Sequence, residues 1–289
     1  MSTVLAPEID VIVRYHDSSR TFELERCLLS LSGVEGVVVH AKIVCQRFSN
    51  EELERIDLII RDYEYISGIH DFDLLNFSEA KPTDARSSLL NKGIKKSHSR
   101  YLAFLDYDDV IYPHSYALLI ENLRKSSCAI AFSNNYFKDV VQGQDYAIVN
   151  NRRAVDKSAL GLRDLFVDNF CPLHSFVIDR STVAPEDLFF KNDMSRLEDY
   201  DFLLRFCAKY RSSFDCMNEF TGDYYFKDDG SNSTLLESSS DKVKVALWRE
   251  AKESLNKTRG ETYLSSEVMS QLGVGVESGV ISILNLLER

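Results

Sequence analysis

Tyr101-Leu102-Ala103-Phe104-Leu105-Asp106-Tyr107-Asp108-Asp109 passes from apolar to acidic in one step. An unbroken apolar run of this length reads as a strand buried on both faces, the signature of a sheet sandwiched between helices. Three acids at its carboxyl end do not belong in a core. In open α/β sheets ligands collect outside the carboxyl ends of the strands, so these acids point at a ligand. Pro113, just beyond, is placed to open the next helix.

Moving outward, Arg86 to Lys96 carries Leu89, Leu90, Gly93 and Ile94 at helical spacing and leads straight into that strand. Further upstream, Ile9 to Tyr15 is a β-branched run, followed by Phe22, Leu24, Cys27, Leu28 and Leu31 on one helical face. Val37 to Val44 reads as a strand, Glu51 to Arg61 as a charged helix, and Asp73 to Phe77 as another short strand. This alternation predicts an α/β fold with a parallel sheet covered by helices. Downstream, Ala129 to Ser133 reads as a strand, and 134–158 as loops and short strands. Leu160 to Phe166 reads as a helix, His174 to Ile178 as a strand, and Tyr200 to Tyr210 as a helix. The tail from Ser238 to Arg289 reads as helical, with breaks near Gly260 and Gly273 to Gly275. Residues 1–235 are thus expected to form the main domain and 236–289 a C-terminal helical extension, with Ser238 to Ser240 as a linker.

With 289 residues the chain is long enough for one large domain and an appendage, and its net charge of −11 makes duplex nucleic acid an unfavoured partner. Six cysteines are scattered with no two closer than nine positions, which leaves no metal-knuckle or redox-pair spacing and reads as buried thiols in a reducing compartment. No apolar run reaches the roughly eighteen residues a membrane span needs. The N-terminus lacks the pattern of a signal peptide. A cytoplasmic protein is the expectation.

Chemically, a hard divalent cation takes one or two carboxylates and leaves its other positions to water and diphosphate. Carboxylates two apart at a strand end can divide the work between a metal and a sugar hydroxyl. A plain acidic turn capping a helix is the competing reading. The stretch from Asp84 to Pro113, with its R-x-x-x-L-N-x-G-I helix, Y-L-A-F-L-D strand and D-x-D-D turn, resembles the sugar-nucleotide core of family-2 glycosyltransferases of the GT-A fold. Leu197-Glu198-Asp199-Tyr200-Asp201, 91 residues on from Asp108 to Asp199, is similar to the acidic segment in which those enzymes place their base.

The resemblance covers roughly Ile9 to Thr234 and implies a GT-A mixed sheet, with helices on both faces. It implies that Asp106 contacts ribose or base, that Asp108 holds Mn²⁺ or Mg²⁺ with Asp109 as a second acid, and that Asp199 is the catalytic base with Glu198 orienting it. Around the nucleotide sugar it places Tyr15 and Arg14, where relatives have a proline-threonine-tyrosine-asparagine turn, and Gln46, where relatives have an acid. Arg86, His174 and Lys227 complete that set, Lys227 standing where relatives often carry histidine or arginine. Each has a plainer alternative, among them helix N-terminal acids, a structural histidine and a glycine-serine turn over Asp228 to Thr234.

The implied activity is inverting transfer of a sugar from a nucleoside-diphosphate donor to a hydroxyl of a glycan or lipid-linked glycan, in bacterial surface polysaccharide synthesis. That setting places it at the inner face of the membrane. A metal-dependent nucleotidyl- or phosphotransferase and a silent sugar-nucleotide-binding scaffold are the rivals; no Walker glycine-rich loop supports the first. The tail is left open between dimerisation, membrane docking and cradling the acceptor. The whole reading requires the acids at 106–109 and Asp199 to share one cleft.

Overall fold

A computed structural model describes residues 6–143, 145–227, 241–275 and 279–289. The first half follows the sequence closely. Strand β1 (Glu8–Tyr15), helix α1 (Thr21–Ser32), β2 (Val38–Gln46), α2 (Asn50–Ser67), β3 (Asp71–Phe77), α3 (Arg86–Lys96) and β4 (Tyr101–Asp106) alternate as the periodicity predicts. Helix α2 extends six residues past Arg61, from a Ser49 cap that forms a reciprocal capping box with Glu52, to Gly68 at φ 66°. A two-residue strand β5 (Val110–Ile111) and α4 (Ser115–Ser126) follow.

The second half departs from the expectation. Strand β6 (Ile130–Gln142) runs thirteen residues, far beyond Ser133, and forms a hairpin with β7 (Ala147–Arg153), so much of 134–158 is sheet rather than loop. Two asparagines interrupt the apolar pattern, and asparagine is a poor strand former. Packing overrides that preference: Asn134 and Asn135 are buried, and Asn134 Nδ2 donates to the Val155 carbonyl at 2.7 Å. Helix α5 (Leu162–Val167), β8 (Phe176–Asp179) and α6 (Glu198–Lys209) fall where expected, and β9 (Ser212–Lys227), which the sequence reading did not identify, runs sixteen residues alongside β6. The tail is α7 (Lys242–Glu261), α8 (Ser266–Gln271) and α9 (Ile283–Leu287), with non-helical chain between α7 and α8 bridged from Tyr263 to Ser282. The expected serine linker, 238–240, and the 228–234 turn lie outside the described residues.

The sheet order is β3-β2-β1-β4-β8-β6-β9-β5, with β7 on β6. Strands β3, β2, β1 and β4 are parallel; β8 is antiparallel to both β4 and β6. The sheet is therefore mixed, not wholly parallel. Strand alternation divides the core. Ile12, Val44 and Phe104 face one layer with α3, α5, α6 and residues of α7 to α9, while Val11, Val13, Tyr15 and Leu105 face the other with α1, α2 and α4. The buried carboxylate of Asp10 accepts the backbone N–H groups of His98 and Ser99 at 2.6 Å and so fixes the turn that feeds β4.

Candidate functional site

Strands β1, β2 and β4 end side by side at Tyr15, Gln46 and Asp106, and Arg14 is the register partner of Asp106. Because side chains alternate, Arg14 shares its face with Ile12 and points into the space above the strand ends, whereas Tyr15 points into the opposite layer. Tyr15 is fully buried, its ring 5.1 Å from Phe48 and 4.9 Å from Tyr107. The structure thus places Tyr15 as a support beneath Tyr107 and outside the cavity lining, away from where a base could stack on it.

Arg14 joins the two acidic motifs. Its Nη2 donates to Asp106 Oδ2 at 2.9 Å, its Nε to Asp106 Oδ1, and its Nη1 to Glu198 Oε1 at 2.5 Å. Arg86 Nη1 lies 3.8 Å from the other oxygen of Glu198, and Arg86 Nε donates to Asp84 at 3.0 Å. Residues separated by 92 positions are brought to one place through a single guanidinium.

Two adjoining cavities open here. The first, about 400 Å³, is lined by Arg14, Gln46, Arg86 and Asp106 to Asp109, among others. The second, about 780 Å³, contains Glu198 and Asp199 in its wall. Arg14, Arg86, Asp106 and Tyr224 line both, so the acidic motifs do border one continuous cleft. Both volumes lie in the range of small-molecule sites.

Within the first acidic motif the carboxylates differ. One ligand atom from each of Asp106, Asp108 and Asp109 lies within 4.8 Å of the others, a spacing able to hold a cation. Asp108, its side chain 28% exposed, accepts Lys227 Nζ at 2.6 Å. Burial raises its pKa, but the ammonium of Lys227 outweighs burial and holds the carboxyl below the ordinary range. Asp109 is buried and already engaged: Oδ1 accepts the Tyr225 N–H at 2.9 Å and Oδ2 lies 3.2 Å from His174 Nδ1. Burial pushes the pKa of Asp109 up against the pull of His174. The donor set therefore fits a hard cation held chiefly by Asp108 with Asp106 beside it, while Asp109 ties β9 to the acidic turn.

His174 is fully buried behind Asp109 and lines neither cavity, so the structure does not bring it to the sugar's side. Lys227 is also buried, reaching Asp108 rather than open solvent. Arg26 fixes the turn from below, donating to the Asp108 carbonyl at 2.7 Å.

The second motif starts α6. Leu197, just before it, is left-handed at φ 60°, a conformation disfavoured for leucine that aims the first helical turn. Glu198 turns inward to Arg14, and Asp201, three residues on, is fully buried against α7. Asp199 lines the second cavity, accepting the Tyr200 N–H at 2.8 Å, with Asn169 Nδ2 at 3.4 Å. Burial first, and the neighbouring charge of Glu198 second, push its pKa up to about 6. A partly desolvated acid near neutrality on a cavity wall is the profile of a general base.

The sequence reading did not assign His16, Thr83, Asp84 or the pair Tyr224 and Tyr225, all of which line the first cavity, nor Arg196 and Asn169, which line the second. His16 follows Arg14 in the same turn and Asp84 precedes Arg86, so proximity in sequence could have found those two. Arg196 and Asn169 reach the cleft only through tertiary folding.

The sequence model described as glycosyl transferase family 2 matches residues 80–183. No curated protein matches the chain. Among solved structures, S. aureus TarS superposes with a TM-score of 0.57 at 14% identity, over 76% of this chain and 37% of TarS. TarS 1-349 in complex with UDP gives 0.62 at 13% identity, over 92% of this chain and 69% of that one. The same fragment with UDP-GlcNAc gives 0.59 at 13% identity, over 92% and 70%. At such identities the likeness establishes architecture. The chain spans about two fifths of the longer TarS structure. The resemblance read from the first acidic motif is thus matched by the glycosyl transferase family 2 model over residues 80–183, the second motif lying beyond that match, and the architecture is that of GT-A glycosyltransferase structures.

Proposed function

We propose that this chain is an inverting glycosyltransferase that moves a sugar from a nucleoside-diphosphate donor to an acceptor hydroxyl. The observation that carries the reading is the cleft in which Arg14 ties Asp106 to Glu198 and sets Asp199, with its raised pKa, beside the acidic strand end. Donor and acceptor then occupy the first and second cavities, meeting at the residues common to both. The TarS fragment with UDP and with UDP-GlcNAc supports a uridine donor as the first to test.

Asp199, ionised above pH 6, takes the acceptor hydroxyl proton as that oxygen attacks the anomeric carbon, and the bond from that carbon to the diphosphate oxygen breaks on the opposite face. Glu198, neutralised by Arg14, keeps α6 in register. Arg86 stands beside the departing charge, and Gln46, in the lining of the first cavity, is the side-chain amide available to a base there. Asp108, with Asp106, is the place for Mn²⁺ or Mg²⁺, which when bound supplies Lewis-acid charge to the leaving diphosphate. Lys227 contributes a fixed positive charge at the same carboxylate. The division at 235/236, a role in bacterial surface polysaccharide synthesis, and placement in the cytoplasm near the membrane belong to the same proposal. Among the described residues no helix is long and apolar enough to cross a membrane.

The test is a panel of nucleotide sugars, assayed for binding and for hydrolysis or transfer with and without Mn²⁺. Cation-dependent turnover of one donor, with inverted product, supports the proposal. Binding without turnover supports a scaffold, and release of a sugar 1-phosphate instead of a nucleoside diphosphate supports a nucleotidyltransferase.

A further inference from the structure

The second cavity has a charge opposite to that of the chain around it. Overall the protein carries −11. Yet among the described residues Arg153, Lys157, Arg196, Lys252 and Arg259 line this cavity and not the first, against the acids Asp168, Glu198 and Asp199. Arg153 is paired with Asp139 at 2.7 Å and Arg196 with Asp84 at 3.3 Å. Lys157, Lys252 and Arg259 have no carboxylate within ion-pair distance among the described residues.

Two of these three are held in place by neutral acceptors. Lys157 is 5% exposed and donates to the Phe170 carbonyl at 2.8 Å, its ammonium 5.0 Å from the centre of the Phe137 ring. Arg259 donates to the carbonyls of Phe166 at 3.0 Å and Val167 at 2.9 Å, and to the Tyr200 hydroxyl at 2.9 Å. A buried cation compensated only by dipoles is costly unless an anion completes it. Burial pushes the pKa of Lys157 down, the direction a bound anion would reverse. Phe137, Phe226 and Trp248 add apolar surface to the same wall, suited to the C–H faces of a pyranose. The donor's diphosphate does not account for these charges, because Arg14 and Arg86 already stand at the cavity it would occupy.

Resting on the transferase reading for the identity of the cleft, we infer that the second cavity selects an anionic acceptor, a glycan bearing phosphate or carboxylate groups. Its anion sits against Lys157, Lys252 and Arg259 while a hydroxyl of the same molecule reaches Asp199. A cation-lined cleft in an acidic surface focuses the field on such a ligand and repels it elsewhere, so recognition is confined to this place.

The test uses the full chain and pairs of glycans that differ only in charge: oligogalacturonate against its methyl ester, and a phosphorylated oligomannose against its dephosphorylated form. Binding is measured by calorimetry, independently of turnover. One charged member is expected to bind about tenfold or more tighter than its neutral twin, the preference shrinking as salt rises from about 0.05 to 0.5 M. The pair that shows it distinguishes carboxylate from phosphate. Lys252→Glu, an exposed change, is expected to remove most of that preference. Equal binding of charged and neutral members in both pairs, or an unaltered preference in Lys252→Glu, overturns the inference. Charge-selective binding with no turnover of any nucleotide sugar would keep it and overturn the transferase reading. Transfer to neutral glycans without charge preference would do the reverse.

Discussion

At the scale of single residues, Asp199 gives the sharpest expectations because its titration is coupled to both activity and stability. If it is the base, kcat/KM rises with pH on a limb centred near 6 and levels above it. Asp199→Asn should lower turnover by about 10²- to 10⁴-fold while leaving donor affinity nearly intact, measured by initial rates and by calorimetry with UDP. The stability sign is the reverse of a salt-bridged acid. A carboxyl raised from its ordinary 3.8 to about 6 binds more protons folded than unfolded, so folding loses stability as pH rises through that window. Asp199→Asn should therefore melt above the parent at pH 8, the gap closing as pH falls below 4. Asp108 and Asp109 differ in readout: Asp108→Asn should weaken cation-dependent donor binding and, by taking the charge from the carboxylate that buried Lys227 contacts, lower the melting temperature as well. Asp109→Ala should cost about 1–3 kcal/mol by leaving the buried Tyr225 N–H unpaired and taking away the carboxylate that faces His174, read by urea melts. The acids were legible in the sequence because carboxylates at a strand end have few structural excuses. Their unequal partners were not, since Lys227, His174 and Arg14 reach them across 119, 65 and 92 positions respectively.

At the scale of elements, the strand ends are held together by close backbone approach. A Cβ added at Gly222 of β9 would lie 2.4 Å from the Val110 carbonyl oxygen and 2.9 Å from Asn135 Oδ1. Backbone cannot yield as a side chain does, so Gly222→Ala should push β9 from β5, loosen the acidic turn and cost about 1–3 kcal/mol. Lower melting temperature together with weakened cation-dependent donor binding would show it; a parental melt would contradict it. This contact also marks where sequence reading fell short. Helices α1, α3 and α6 and strands β1 to β4 carry clean periodicity on faces that pack against a single layer, and all were read. Strands β6 and β9 are threaded with Ser133, Asn134 and Thr221, polar residues that are buried and bonded in the folded sheet. Hydrophobic patterning is blind to polar residues whose partners are supplied only by the tertiary fold.

At the scale of the whole molecule, the C-terminal helices bear on the cleft through α6. Asp201 is fully buried one turn beyond Glu198 and accepts three donors: Lys191 at 2.8 Å, Arg205 at 2.8 Å and Thr258 of α7 at 2.6 Å. Arg259, the next residue, reaches the hydroxyl of Tyr200, which follows Asp199. Leu255, Leu264, Val268, Met269, Ile283 and Leu286 share one apolar layer with Phe202 and Phe206, so the tail completes the core beneath the helix that carries Asp199. Removing residues 241–289 would strip that layer and leave Asp201 short of a donor, and the truncated chain should lose cooperative melting. A gentler change isolates the polar link. Thr258→Val keeps the volume and deletes one donor to a buried carboxylate, which should cost about 1–3 kcal/mol in a denaturant titration. Because the strain falls on the helix that mounts Asp199, turnover should drop further than donor affinity. If Thr258→Val matched the parent in both stability and turnover, α7 would have no part in holding α6, and the tail would be a separate attachment rather than the back wall of the cleft.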